Sequence, residues 1–221
     1  MFPSLLLCLA LSVAGPQQQA QISDSPVMVP QWANSTCPVM GKPISLRLFT
    51  DTRYGRIYIC CKVCVKDIHE DVDAAYAASY PTNTVVENKL CPVTGREITK
   101  DSPKVVLQGY EFRAFDKAAA AKASEDAQVT LCRLLEPKWE SLDNRTCPVT
   151  GEPVAPNTIA VYKQTIVRLS SPKAVDEFRK APDKVLEKAK AIRQKELEEA
   201  RKQEKPAEKP APKAPGSASA P

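Results

Sequence analysis

The sequence predicts an α+β fold of three small repeats, each a cysteine turn, a β-hairpin and a helix, followed by a charged helix and a disordered tail. Three observations predict it. First, the phrase CPVMGKPIS at Cys37 returns as CPVTGREIT at Cys91 and CPVTGEPVA at Cys147, with starts 54 and 56 residues apart. Similarity at so short a period marks units too small to bury an apolar face without neighbours. Second, each phrase is followed by two β-branched and aromatic runs flanking a turn, and then by a helix-forming stretch. Third, the composition changes near the end: six of the 20 prolines lie between residues 182 and 221, in a chain with only 7 glycines. A stretch so poor in apolar residues cannot offset the entropy of ordering.

Taken in order, the 221-residue chain opens with MFPSLLLCLALSVAG, whose apolar run from Leu5 to Ala14 ends in Ser12-Val13-Ala14. The run is shorter than the ~20 residues that span a bilayer, and small residues close it, so residues 1–20 read as a signal peptide cleaved after Ala14 or Ala20. The mature chain is then exported, periplasmic or secreted, and of bacterial type. No later segment reaches 18 apolar residues, so no stable membrane insertion is expected after cleavage. Residues 21–35 form a linker.

Repeat one spans 36–80, with strands over 44–49 and 56–60 and a helix over 65–78. Repeat two spans 88–137, with strands over 105–108 and 110–115 and a helix over 116–127. Repeat three spans 144–181, with strands over 159–162 and 166–169 and a helix over 172–180. An asparagine precedes each cysteine phrase, at Asn34, Asn88 and Asn144. Aligned from the cysteines without gaps, Gly55 and Gly109 share one offset, where glycine suits a hairpin turn, and Thr165 takes that place in the third copy. Asp116 and Ser171 suit helix N-caps, and Pro172 suits the first helical position. Residues 182–205 form a charged helix, in which Glu198 lies four residues before Lys202. Its stripe of Val185, Leu186, Ala189, Ile192 and Leu197 is expected to dock on the repeats. Residues 206–221 are an extended tail.

Composition narrows the chemistry. The net charge of +5 comes from 31 basic and 26 acidic residues, interspersed, and gives no reason to expect nucleic acid. The only histidine is His69. That excludes many-histidine metalloenzymes, and it excludes Ser/His or Cys/His catalysis elsewhere in the chain. The sequence holds no phosphate-cradling glycine loop, zinc-protease helix motif or serine nucleophile elbow. Chemistry therefore centres on cysteine. Of 8 cysteines, Cys8 lies in the leader, and an odd number remains: one thiol is free, intermolecular or metal-bound.

Only repeat one carries Cys60-Cys61-Lys62-Val63-Cys64, at the junction of strand and helix. With Cys37 it makes C-x22-C-x3-C, or C-x23-C-x2-C if Cys61 replaces Cys60. A tight knuckle aims two sulfurs at one ion, and the remote cysteine closes the site from the far end of the hairpin, as in a treble clef or zinc ribbon. Thiolates are soft donors, so the candidate ligands Cys37, Cys60, Cys61 and Cys64 favour zinc or copper(I) over calcium or magnesium. Two other readings stay open. Cys61 and Cys64 form the C-x-x-C of a thiol-disulfide oxidoreductase, or the cysteines make disulfides in a purely structural repeat protein. His69, five residues past Cys64, is read as a surface residue rather than a fourth ligand, and Asp67, Glu70, Asp71 and Asp73 as a solvated helix face. Tyr76 and Tyr80 are expected to pack on a neighbouring repeat. Cys91 and Cys147 read as small buried residues; a disulfide between them, or with Cys132, is the alternative.

CPVMGKP followed by RIYICCKVC resembles the TRASH and YHS-type metal-binding domains, small cysteine-based units that sense or carry heavy metals. Cys37, Cys60 and Cys64 fall on the family's three-cysteine pattern, and the resemblance covers 36–80. The sequence departs from the pattern at Ile59, where the family has an aromatic residue; Tyr58 lies one place earlier. The other repeats resemble the scaffold alone. In the gapless alignment Cys60, Cys61 and Cys64 become Ala114, Phe115 and Ala118 in the second, and Ser170, Ser171 and Ala174 in the third. The resemblance implies a non-enzymatic metal carrier, buffer or sensor, whose second and third repeats supply stability or a surface for a protein partner.

Overall fold

A Cys-Pro turn reverses the chain at three places, and each turn starts a hairpin. The computed structural model describes residues 26–204, so the expected signal peptide and the tail of 206–221 lie outside the described residues. In each turn the cysteine N–H donates to the carbonyl five residues on, and the glycine N–H donates back to the cysteine carbonyl. The distances are 2.9 and 2.8 Å at Cys37, 2.8 and 2.8 Å at Cys91, and 2.8 and 2.9 Å at Cys147. Gly41, Gly95 and Gly151 close these turns at φ +63°, +69° and +81°. That left-handed geometry, which side chains disfavour, accounts for the glycine in all three phrases.

The described residues form a mixed α+β fold of six helices and three small sheets. The first segment holds β1 (Ser45–Thr52), β2 (Gly55–Ile59), α1 (Cys64–Glu70) and α2 (Val72–Ser79). The second holds β3 (Thr84–Val85), β4 (Lys104–Leu107), β5 (Tyr110–Arg113), α3 (Lys117–Glu125) and α4 (Ala127–Leu135). The third holds β6 (Glu140–Ser141), β7 (Ile159–Tyr162), β8 (Thr165–Arg168), α5 (Pro172–Lys180) and α6 (Pro182–Glu204). The strand pairs β1-β2, β4-β5 and β7-β8 are antiparallel hairpins. The two-residue strands β3 and β6 add parallel edges to β5 and β8, in sheet orders β3-β5-β4 and β6-β8-β7.

The asparagines before the turns lock each turn to its second strand. Asn34 donates to the carbonyls of Thr36 (2.7 Å) and Tyr58 (2.9 Å) and accepts the Tyr58 N–H (2.8 Å). Asn88 does the same with Leu90 and Arg113, at 3.0, 2.8 and 3.0 Å. Asn144 repeats it with Thr146 and Arg168, at 2.9, 2.8 and 3.0 Å. Asn144 is 1 % exposed, so its replacement strips partners from groups that water reaches poorly. We expect Asn144→Ala to lower unfolding stability by about 2 kcal/mol, read as a fall in the denaturant midpoint at unchanged slope.

These locks also correct the gapless alignment. They make Tyr58, Arg113 and Arg168 equivalent, and the hairpin loops fall at Arg53-Tyr54, Gln108-Gly109 and Lys163-Gln164. The second segment therefore has one more residue between its cysteine and its loop than the other two. Gly109 sits within its loop at φ +81°, beside Gln108 at +46°, and Lys163 and Gln164 adopt the same left-handed pair at +48° and +60°. Gly55 instead opens β2 opposite Thr52 at φ +84°, after a loop with no left-handed residue. The first is thus a two-residue loop whose left-handed place falls on the glycine after it, and the other two carry left-handed pairs within the loop.

The helices expected over 65–78 and 116–127 are each interrupted, because Asp71 (φ −141°, ψ 84°) and Asp126 (φ −126°, ψ 53°) leave helical geometry. Ala181 does the same between α5 and α6. The Asp71 carboxylate accepts the Ala74 N–H at 3.0 Å and so caps α2. Helix α4 has no counterpart in the sequence expectation. All of its residues from Ala127 to Cys132 are buried, polar Gln128 and Thr130 among them, so the polar positions do not mark an exposed face.

The second helix of each of the first two segments plugs into the segment that follows. On α2, the Tyr76 hydroxyl accepts the Gly109 N–H at 3.1 Å, and a side chain at Gly109 would meet the Tyr80 ring at 3.1 Å. On α4, Val129 and Cys132 pack with Ile159, Val161 and Ile166. Buried Arg56 reaches the Asn157 carbonyl at 3.0 Å, tying the first segment to the third. Helix α6 folds back on its own segment: Leu186 and Ala189 are buried with Phe178, Val185 packs beside them, and Leu197 stays exposed. The Glu196 carboxylate accepts the N–H groups of Arg145 and Thr146 at 3.0 and 2.9 Å. At the other end of the chain, Met28 and Val161 exchange backbone hydrogen bonds of 2.8 and 2.7 Å, with Val27 buried in the third core. No helix among the described residues is long and apolar enough to cross a membrane.

Candidate metal centre

Four cysteines meet where the first hairpin turns into α1. All five residues of β2 are buried, and this anchors the strand whose next residue is Cys60. The chain then turns through Cys61, Lys62 and Val63, with Cys64 N–H to Cys61 O and Val65 N–H to Lys62 O both at 3.3 Å, and α1 starts at Cys64. Cys37 arrives from the first Cys-Pro turn. It is buried, as is Cys64, at 1 % exposure each, whereas Cys60 and Cys61 are half-buried and Val63 is 79 % exposed. The cluster is thus closed from below and open at the knuckle.

The sulfur of Cys64 lies 3.6 Å from that of Cys37, 3.6 Å from Cys61 and 3.9 Å from Cys60, and Cys60 lies 3.8 Å from Cys61. A tetrahedral ion with sulfur ligands at about 2.3 Å separates those sulfurs by about 3.8 Å. The sulfurs of Cys37, Cys60 and Cys64 all lie within 4.8 Å of one another and could hold a metal ion. Cys61 stands beside this triangle, touching two of its corners. All seven described cysteines are free thiols.

Burial opposes ionisation of Cys37, but the backbone N–H groups of Cys60, Met40 and Val39, with the Cys64 thiol, outweigh it and bring its pKa down to about 7. Cys61 is also held down, by the thiols of Cys64 and Cys60 against some burial, and by the N–H groups of Val63 and Cys64. Burial pushes Cys60 and Cys64 up, and hydrogen bonding to the neighbouring sulfur of Cys37 adds to it. The metal-free cluster therefore keeps one readily ionised corner and two protonated ones. Because an ion must displace the remaining protons, affinity should rise with pH. Calorimetric titration of reduced protein in buffers of different ionisation enthalpy should count about two protons released per ion at pH 8 and about three at pH 6.

The other turns repeat half of this chemistry. Burial opposes ionisation of Cys91, yet the Thr94 hydroxyl and the N–H groups of Phe115, Thr94 and Val93 hold its pKa below the usual value. Cys147 is lowered likewise, against burial, by the hydroxyls of Ser170 and Thr150 and by their N–H groups. Phe115 and Ser170 thus face Cys91 and Cys147 as Cys60 faces Cys37. The counterparts of Cys60, Cys61 and Cys64 in the second segment are accordingly Phe115, Asp116 and Ala119, and not Ala114, Phe115 and Ala118. In the third segment they are Ser170, Ser171 and Ala174, as aligned. Neither place gathers further sulfurs.

The remaining sequence candidates lie elsewhere. His69 is exposed and its Nε2 sits 2.8 Å from Thr50 Oγ1, outside the sulfur triangle. Cys132 is buried on α4, where burial raises its pKa to about 12, and it is not disulfide-bonded to Cys91 or Cys147. The acidic run is more than a solvated face: Asp71 caps α2, and Asp73 pairs with Arg53 at 2.5 Å and accepts the Tyr54 hydroxyl at 2.6 Å. Sequence reasoning missed that Cys61 stands in register with Asp116 as well as with Ser171, although it caps no helix, the N-cap of α1 being Val63. The one-residue slip in the second segment hid the match with Asp116. Compared with known proteins, the chain matches no family model, no curated protein and no solved structure.

Proposed function

We propose that this is an exported, non-enzymatic protein that binds one thiophilic metal ion, zinc or copper(I), through Cys37, Cys60 and Cys64, as a carrier, buffer or sensor. One observation carries the reading: sulfurs from the two ends of a hairpin converge within 4.8 Å at a partly open, otherwise buried place. Binding would exchange thiol protons for the ion and tie the first turn to the knuckle, coupling occupancy to local folding. In this reading the three segments are copies of one TRASH/YHS-type unit, similar to a treble clef or zinc ribbon, and the second and third have lost the site. The recurring turns and asparagine locks support common descent. The degenerate copies then offer mass, stability or a surface for a protein partner.

The test is a titration of reduced protein with zinc(II), and separately with copper(I), against a chromophoric chelator. One equivalent per chain is expected; none, or three of similar affinity, would overturn the reading. The 3.6 Å contact of Cys61 with Cys64 at a helix start favours a second reading, a thiol-disulfide oxidoreductase. Insulin-reduction turnover that needs only these two residues would establish it.

A further inference from the structure

We infer that Cys61 is the exchange thiol of the centre: it stands outside the metal-holding triangle and, on meeting a small-molecule disulfide, bonds to Cys64 and expels the ion. The inference rests on the metal reading above, and three observations converge on it.

The first is the place of Cys61 in the fold. The asparagine locks set it at the position of Asp116 and Ser171, whose side chains accept the N–H groups of Ala119 (2.7 Å) and Ala174 (3.3 Å) and cap α3 and α5. Cys61 itself caps nothing: the N-cap of α1 is Val63, without a side-chain hydrogen bond, and the Cys64 N–H bonds the Cys61 carbonyl at 3.3 Å, which leaves the Cys61 sulfur free of the helix start. The second is distance: Cys37, Cys60 and Cys64 form the mutual group, while Cys61 touches Cys64 at 3.6 Å from beside it. The third is access. Cys61 is half-buried next to exposed Lys62 and Val63, whereas Cys64 is buried at 1 % exposure. A reagent in solution reaches Cys61, which hands the reaction inward to Cys64 at 3.6 Å. Cys60 is equally open, but it is a member of the mutual group and its sulfur lies 3.9 Å from Cys64, against 3.6 Å for Cys61.

The chemistry balances without a further reagent. The Cys61 thiolate attacks one sulfur of a disulfide RSSR, forming a mixed disulfide and releasing RS⁻. The Cys64 thiolate, leaving the ion, attacks the Cys61 sulfur and releases the second RS⁻. One Cys61–Cys64 bond forms, two protein thiolates are oxidised, and one disulfide is reduced to two thiolates. With Cys64 oxidised, only Cys37 and Cys60 of the group would remain to hold an ion, too few donors to retain it. Excess thiol reverses each step.

The test compares wild type with Cys61→Ser, a near-isosteric change that removes the thiol alone. Both are loaded with zinc(II) and mixed with excess oxidised glutathione while a chromophoric indicator follows release. The variant should bind zinc with less than about tenfold loss of affinity, and should release it at least about tenfold more slowly than wild type. Peptide mapping of the wild type should find Cys61 joined to Cys64. A loss of affinity of about 100-fold or more in the variant would make Cys61 a ligand and overturn the inference; so would release at the wild-type rate. If wild type takes up no zinc, the metal reading fails by itself. The metal-free protein then decides the exchange role: a first-formed Cys61–Cys64 disulfide supports it, and Cys60–Cys64 or Cys37–Cys64 overturns it.

Discussion

Replacing Cys37 by serine should weaken metal binding by more than about 100-fold, since loss of even an outer-sphere partner costs a metal site about 10–100-fold and here a ligand itself is lost. The serine hydroxyl is a hard, neutral donor and a poor substitute for thiolate toward zinc or copper(I). The fold should survive, because the turn is held by the backbone of residue 37, through its N–H to Lys42 and its carbonyl from Gly41, at 2.9 and 2.8 Å. Circular dichroism and unfolding midpoints close to wild type would establish that the loss is local. The double change Cys60→Ser, Cys64→Ser should abolish binding altogether. This experiment also separates the two readings of the cluster, because an exchange cycle run by Cys61 and Cys64 has no use for Cys37. Affinity retained in Cys37→Ser, or insulin-reductase turnover that persists in it, would count against the metal centre.

The second large effect concerns architecture. A fragment of residues 88–137 should show no cooperative unfolding transition, although it contains a complete turn, hairpin and helix pair. Its α4 buries Val129 and Cys132 against Ile159, Val161 and Ile166 of the third segment, and its hairpin loop receives Tyr76 and Tyr80 from the first. Cutting those contacts leaves apolar side chains in water at about 1.5–3 kcal/mol for each large one. A unit of about 50 residues has no margin to absorb that. A sharp, reversible melt of the fragment would show that its own core, built on Leu107, Phe112 and Leu131, is sufficient.

Elements that speak through local chemistry were legible in the sequence. The three Cys-Pro turns repeat a phrase, and their glycines have a backbone reason. Asp116 and Ser171 are short polar residues before helix formers, and both cap helices. Cys37, Cys60 and Cys64 were legible because two sulfurs lie four residues apart and the third marks the opposite end of the hairpin. Elements that depend on distant partners were not legible. Helix α4 buries polar Gln128 and Thr130 along with its apolar residues, so its polar positions suggest a surface it does not have. Strands β3 and β6, two residues each, exist because β5 and β8 offer them an edge. The pairing of Met28 with Val161 joins residues whose separation gives no local sign. The breaks at Asp71 and Asp126 fall inside helix-compatible stretches, and the extra residue of the second segment is absorbed before its loop, where a gapless comparison cannot register it. That slip is also why the match of Cys61 and Ser171 with Asp116 emerged only from the hydrogen bonds.

X-ray absorption at the metal edge of the reduced, loaded protein tests the central claim most directly, because it reads the donor atoms themselves. For zinc, the account predicts one ion per chain with at least three sulfur neighbours at about 2.3 Å, all lost in the Cys60→Ser, Cys64→Ser variant. A first shell of nitrogen and oxygen alone, or a sulfur shell that survives in that variant, would contradict it.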